Sequence, residues 1–176
     1  QETMRIPLYM KVPDRTLPGT KTAALASHVD LARTIAELGG VNPADYPGLV
    51  GESLDPLFTD QNEKIRDYVL FAQQWPWYQG VEHTRYASAG IFDGRNKYCR
   101  YYGVGGGADA AGNSLTGTIQ FDANSPFHDH EHEWYDLQED PHELVNLAMD
   151  RGRRNELRNR FENLLSIETK EYANID

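Results

Sequence analysis

The sequence predicts an α+β fold: a strand–helix unit of the kind that ends an α/β sheet, then a small antiparallel β-sheet with a helix packed on it at the C-terminus. Three observations carry this. Residues 1–58 pair one strand-like run with one amphipathic helix. Residues 59–137 hold short strand-like runs punctuated by turn residues. The last segment has a single apolar stripe, Leu157, Phe161 and Leu164, at helical spacing. The expected boundary divides 1–58 from 59–176.

Arg5 to Pro13 reads as a strand with prolines at its margins. It lies so close to the start of the sequence that the chain is expected to be a piece of a longer polypeptide. Thr16 to Lys21, with Pro18-Gly19, is a polar turn. A helix follows, with Ser27 as cap and Asp30 three residues on. Its apolar positions are Leu31, Ile35 and Leu38, and Gly39-Gly40 stops it. Asn42 to Pro56 is a loop. Its Gly51-Glu52-Ser53 lacks the second glycine of a nucleophile elbow, so a turn is expected there rather than a reactive serine.

Tyr68 to Ala72 reads as a buried strand, and Gln73 to His83 as an aromatic loop. Tyr86–Phe92 and Arg95–Tyr102 flank Asp93-Gly94, a hairpin signal. Gly103 to Gly117 is a run rich in glycine and small residues. It lacks the G-K-[ST] ending of a phosphate loop. Ile119–Asp122 and Glu133–Leu137 are further strands. Asp140-Pro141-x-Glu143 reads as an N-cap, a proline at the first helical position and a capping box. Asp150 caps the last helix. Its arginines, 151, 153, 154, 158 and 160, mostly face water.

Of the 176 residues, 39% are hydrophobic and 25% charged, with net charge -10. That is globular composition, and the acidity disfavours nucleic-acid or anionic-membrane binding. No apolar run is long enough for a membrane span. One cysteine, Cys99, leaves no internal disulfide.

Five motifs occur in one order: Met4-Arg5-Ile6-Pro7-Leu8; His28-Val29-Asp30-Leu31-Ala32-Arg33-Thr34 running to Gly39-Gly40-Val41; Gly51-Glu52-Ser53-Leu54-Asp55-Pro56-Leu57; Asp93-Gly94-Arg95-Asn96-Lys97-Tyr98; and Tyr135-Asp136-Leu137 with Asp140-Pro141, Glu143 and Asn146-Leu147-Ala148. Together they cover nearly the whole chain and resemble the C-terminal portion of sulfatases of the alkaline phosphatase superfamily. Arg33 stands where that family commonly has proline. The resemblance implies a parent enzyme that hydrolyses sulfate esters with a formylglycine, made from Cys or Ser in C/S-x-P-x-R, and a divalent cation, usually calcium. Neither C/S-x-P-x-R nor the family's paired Asp-Asp opening motif occurs here; the only cysteine stands in Tyr98-Cys99-Arg100-Tyr101. The expected partner is therefore an N-terminal catalytic portion of the same protein, with a sulfate ester as its substrate. On this reading 1–58 ends the main α/β domain, 59–176 is the C-terminal subdomain, and the chain alone is inactive. Two alternatives stand beside it: the tail of a phosphonate or phosphate ester hydrolase of the same superfamily, and a free-standing binding module.

Two clusters are candidate sites. Trp75, Trp77, Tyr78 and His83, with Arg85 to meet an anion, form a candidate substrate-contact loop, beside the plainer expectation that the aromatics cover the sheet edge and Arg85 makes a surface ion pair. His128, His130 and His132 alternate and would share one strand face, a weak candidate for zinc or nickel. A solvated strand entry is the plainer expectation there. No catalytic residue is assigned.

Overall fold

A computed structural model describes residues 4–74, 85–104 and 123–172. The chain divides into two compact units, one running to Val69 and the other Leu70–Glu171.

The first unit is built on helix α1, Val29–Leu38. Its buried positions are Asp30 and Thr34, both 0% exposed, whereas Ile35 is 64% exposed. The expected apolar stripe is thus not the buried face. A polar seam takes its place. The Asp30 carboxylate accepts from the amides of Ser27 (2.6 Å) and Glu52 (2.8 Å) and pairs with Arg66. The Thr34 hydroxyl donates to the Asp30 carbonyl (2.6 Å) and accepts from the Leu54 amide (2.9 Å). Arg33 adds a bond to the Gly51 carbonyl (3.1 Å). Buried polar groups persist only when bonded in this way. Gly51 is fixed twice over. Its φ is +101°, and a Cβ there would lie 2.5 Å from the Val29 carbonyl oxygen. The segment 51–54 is therefore strapped to the N-terminal half of α1 by the residues that carry two of the five motifs.

Residues 5–12 form no strand. A strand needs a ladder partner to satisfy its backbone, and none is paired with this segment among the described residues. Ile6, Leu8 and Tyr9 are 60%, 49% and 92% exposed.

The second unit holds an antiparallel sheet in the order β1 (Val69–Gln74), β2 (Arg85–Phe92), β3 (Asn96–Val104), β4 (Glu131–Asp136). The β2–β3 hairpin pairs Phe92 with Lys97. Its turn is four residues long, with Gly94 at φ +94° and the Asp93 carboxylate capping the amides of Arg95 and Asn96. The expected strand 119–122 and most of the glycine-rich run lie outside the described residues.

Helix α2, Arg154–Tyr172, lays Leu157, Phe161 and Leu164 on Tyr98, Phe127 and Trp134 to make the core. The predicted stripe is correct and extends to Glu168, whose carboxylate meets Arg100 of β3 at 2.6 Å. Arg100 lies between the Tyr102 and Phe161 rings (4.8 and 5.8 Å). Burial raises the Glu168 carboxyl, against the pull of Arg100.

The segment 140–146 is not the start of a helix. Glu143 has φ +56°, which is incompatible with the third position of one. Instead Asp140 accepts from the Val145 amide (2.8 Å), and Glu143 turns back to pair with Lys97. A buried lysine demands a counter-charge more strongly than a helix end demands a capping box. Asn146 then closes the outer edge of β4. It accepts from the Trp134 amide (3.0 Å) and donates to the His132 carbonyl (3.0 Å), standing in for a fifth strand. The Asp150 cap holds, accepting from Gly152 (2.8 Å), with a 3₁₀ turn Arg151–Arg153 preceding α2.

Candidate functional site

A groove of about 570 Å³ opens between β4, the 3₁₀ turn Leu147–Met149 and the first turns of α2. Phe127, Met149 and Leu157 give its apolar surface, Glu131 and Glu133 its acidic wall, and Arg154 its basic wall. These residues come from separate elements, so no local sequence pattern joins them. His132 links the groove to the core. The Tyr98 hydroxyl donates to His132 Nδ1 (2.8 Å), and Nε2–H donates to the Phe127 carbonyl (2.9 Å). That geometry fixes the neutral tautomer. Burial holds the imidazole below its ordinary pKa, and the charge of nearby His130, Arg154 and Arg100 pushes the same way.

The three histidines do not share a strand face. His128 lies in a 3₁₀ turn, Phe127–Asp129, and its side chain is 70% exposed beside Asp129. His130 is buried just before β4 and bonds the Ser125 carbonyl through Nε2 (2.9 Å). Pro126 precedes the turn with φ -59°, ψ 154° and directs the chain into it, which sets His128 apart, while the His130 and His132 rings lie 6.2 Å from each other and both pack on Phe161. Among the described residues no group of three His, Cys, Asp or Glu side chains converges on a common point.

Trp75, Trp77, Tyr78 and His83 lie outside the described residues. Arg85 opens β2, with its Cα opposite that of Val104.

Cys99 is buried in β3, where burial pushes its thiol up to about 12. It is neither exposed nor ionised as a reactive thiol is, and its sequence context does not fit conversion to formylglycine. Calcium asks for six to eight converging oxygens. Four of the described acids are drawn instead into pairs: Asp30 with Arg66, Glu143 with Lys97, Glu168 with Arg100, Asp136 with Arg95. The described residues fit neither group.

Residues of the last four motifs are fasteners, whereas the described residues of the first are exposed. Asp30, Thr34, Gly51 and Leu54 close one strap, Lys97 and Glu143 another, and Asn146 seals an edge.

A search of curated proteins gives no match. Several solved structures share the fold. BT4656, described in complex with its substrate D-glucosamine-2-N,6-O-disulfate, matches over 93% of this chain at 21% identity and TM-score 0.62. A Bacteroides thetaiotaomicron protein labelled BT33494S-sulf, from work on glycosaminoglycan metabolism, matches over 93% at 20% and 0.55. Phosphonate monoester hydrolase of Agrobacterium radiobacter matches over 84% at 20% and 0.52. This chain spans 28%, 30% and 26% of those chains respectively. The model of the family described as N-sulphoglucosamine sulphohydrolase, C-terminal, matches residues 1–106, more than half of the sequence. The chain therefore belongs to this sulfatase C-terminal family.

Proposed function

We propose that the chain is the C-terminal part of a sulfuric ester hydrolase acting on sulfated sugars. Residues 1–58 end its main α/β domain, and 59–176 form the subdomain that borders the substrate cleft. The formylglycine nucleophile and a calcium ion belong to an N-terminal catalytic portion of the same protein. The observation that carries the reading is the family match over residues 1–106. The complex of BT4656 with a sulfated glucosamine supports the substrate class. The exposed Ile6, Leu8, Tyr9 and Ile35 favour a unit that meets further protein over a free-standing module. Trp75, Trp77, Tyr78, His83 and Arg85 are the proposed substrate contacts.

A phosphonate monoester hydrolase is the second reading, favoured by the likeness to the Agrobacterium enzyme. The test is the full-length protein assayed on N- and O-sulfated glucosamine and on a phosphonate monoester. Preference for the sulfate esters supports the first reading, and preference for the phosphonate replaces it. In the same enzyme Trp77→Ala should raise KM for the sulfated sugar; an unchanged KM removes the contact role.

A further inference from the structure

Although the chain carries net charge -10, its residues 151–160 hold five arginines and one acid. These arginines do not behave alike. Arg153 lies near both Asp150 (3.6 Å) and Glu156 (3.8 Å). Arg160 sits 4.1 Å over the Trp134 ring and bonds Asn96. Arg151, Arg154 and Arg158 have no carboxylate within ion-pair distance among the described residues, and all three are exposed. Their spacing, i, i+3 and i+7, sets them along one side of the helix entry, about 10 Å from first to last.

Two of the three are held without being neutralised. The guanidinium groups of Arg154 and Arg158 lie 5.4 and 5.2 Å from the centre of the Phe127 ring. An aromatic face orients a guanidinium while leaving its charge and its edge N–H groups available. Those N–H groups form a planar fork suited to bidentate contact with a tetrahedral oxyanion. The acids Glu131 and Glu133 stand on the opposite, β4 wall of the groove, and Glu133 accepts from the Tyr101 hydroxyl (2.8 Å). Asp150 and Glu156, the acids beside these arginines in sequence, lie nearest Arg153.

We propose that this ridge is a docking site for a sulfated polysaccharide chain, with Arg151, Arg154 and Arg158 taking its sulfate groups outside the reacting centre. The choice of a sulfated glycan over other polyanions rests on the sulfatase reading. The charge complementarity is read from the ridge itself.

The test is binding, not turnover. Affinity of the full chain for a fluorescein-labelled heparin-derived oligosaccharide is measured across a salt series. The same oligosaccharide after chemical desulfation, and a single-stranded DNA, serve as controls. The wild type should bind the sulfated probe and lose affinity steeply with salt. R151Q/R154Q/R158Q should bind it at least about tenfold more weakly, with the slope of log K against log salt reduced by about two to three. R151Q alone touches no ring. It should weaken binding a few-fold at an unchanged melting temperature, which separates lost charge from lost folding. Equal binding by the triple variant and the wild type overturns the proposal. So does DNA binding as tight as that of the sulfated probe. A full-length enzyme that hydrolyses sulfate esters while the ridge binds nothing sinks the ridge alone. A ridge that binds while the enzyme turns over no sulfate ester sinks the enzyme reading alone.

Discussion

Asp30→Ala tests whether the first unit is held by a polar strap rather than by apolar packing. The substitution leaves the amides of Ser27 and Glu52 without their acceptor, and the Arg66 guanidinium, 16% exposed, without its counter-charge. Hydrogen bonds to a charged group contribute about 1.5–3 kcal/mol each. Breaking a buried ion pair costs about 3–5 kcal/mol. These overlap, because one carboxylate serves all three partners, so the expected loss is about 3–5 kcal/mol for this unit. The assay is native-state hydrogen exchange at the Glu52 and Leu54 amides. Both are bonded to α1 side chains and should be protected in the wild type. In Asp30→Ala they should exchange at least about a hundredfold faster, since each 1.4 kcal/mol is tenfold. Thr34→Val removes only the Leu54 acceptor and the bond to the Asp30 carbonyl. It should cost about 1–3 kcal/mol and act most at Leu54. Exchange at Glu52 within threefold of wild type in Asp30→Ala would refute the strap.

Two further predictions concern the second unit. Asn146→Ala strips the partners of the Trp134 amide and the His132 carbonyl together, and should lower stability by about 2–4 kcal/mol in a urea titration followed by Trp fluorescence; a loss below 0.5 kcal/mol, roughly that of an ordinary surface change, would show the edge seal to be incidental. His132 is held neutral with a lowered pKa, so below about pH 6.5 the unfolded chain takes up a proton that the folded one resists. Its contribution is complete above that pH and is lost as pH falls toward the folded value, with a slope of at most about 1.4 kcal/mol per pH unit. Urea midpoints at pH 7 and pH 5.5 should therefore differ more for the wild type than for His132→Gln, and identical differences would exclude His132 as the cause.

Much of the second unit was legible in the sequence because its signals are local. The α2 stripe of Leu157, Phe161 and Leu164, the Asp93-Gly94 turn and the Asp150 cap each depend on residues within a few positions of one another. Two of the misreadings share a cause: a distant partner outweighed a local preference. The capping box at Asp140–Glu143 was correct as a pattern, but Lys97, 46 residues away, takes Glu143. The apolar stripe of α1 yielded to Asp30 and Thr34, whose partners lie on a loop 20 to 22 residues further on. Of the alternating histidines, His128 was set apart from the other two by the turn after Pro126. The segment 5–12 has a strand's composition, but a strand is a property of a pair. Of the candidate site, the motifs point to the family, and residues of the last four proved to be fasteners. The groove was invisible because Phe127, Met149 and Arg154 meet only in three dimensions.

The most direct measurement is sulfate release from an aryl sulfate by the purified 176-residue chain, run beside the full-length protein at equal molar concentration. A supporting wall without its own nucleophile should release none, while the full-length protein turns over. Turnover by the 176 residues alone would contradict the account.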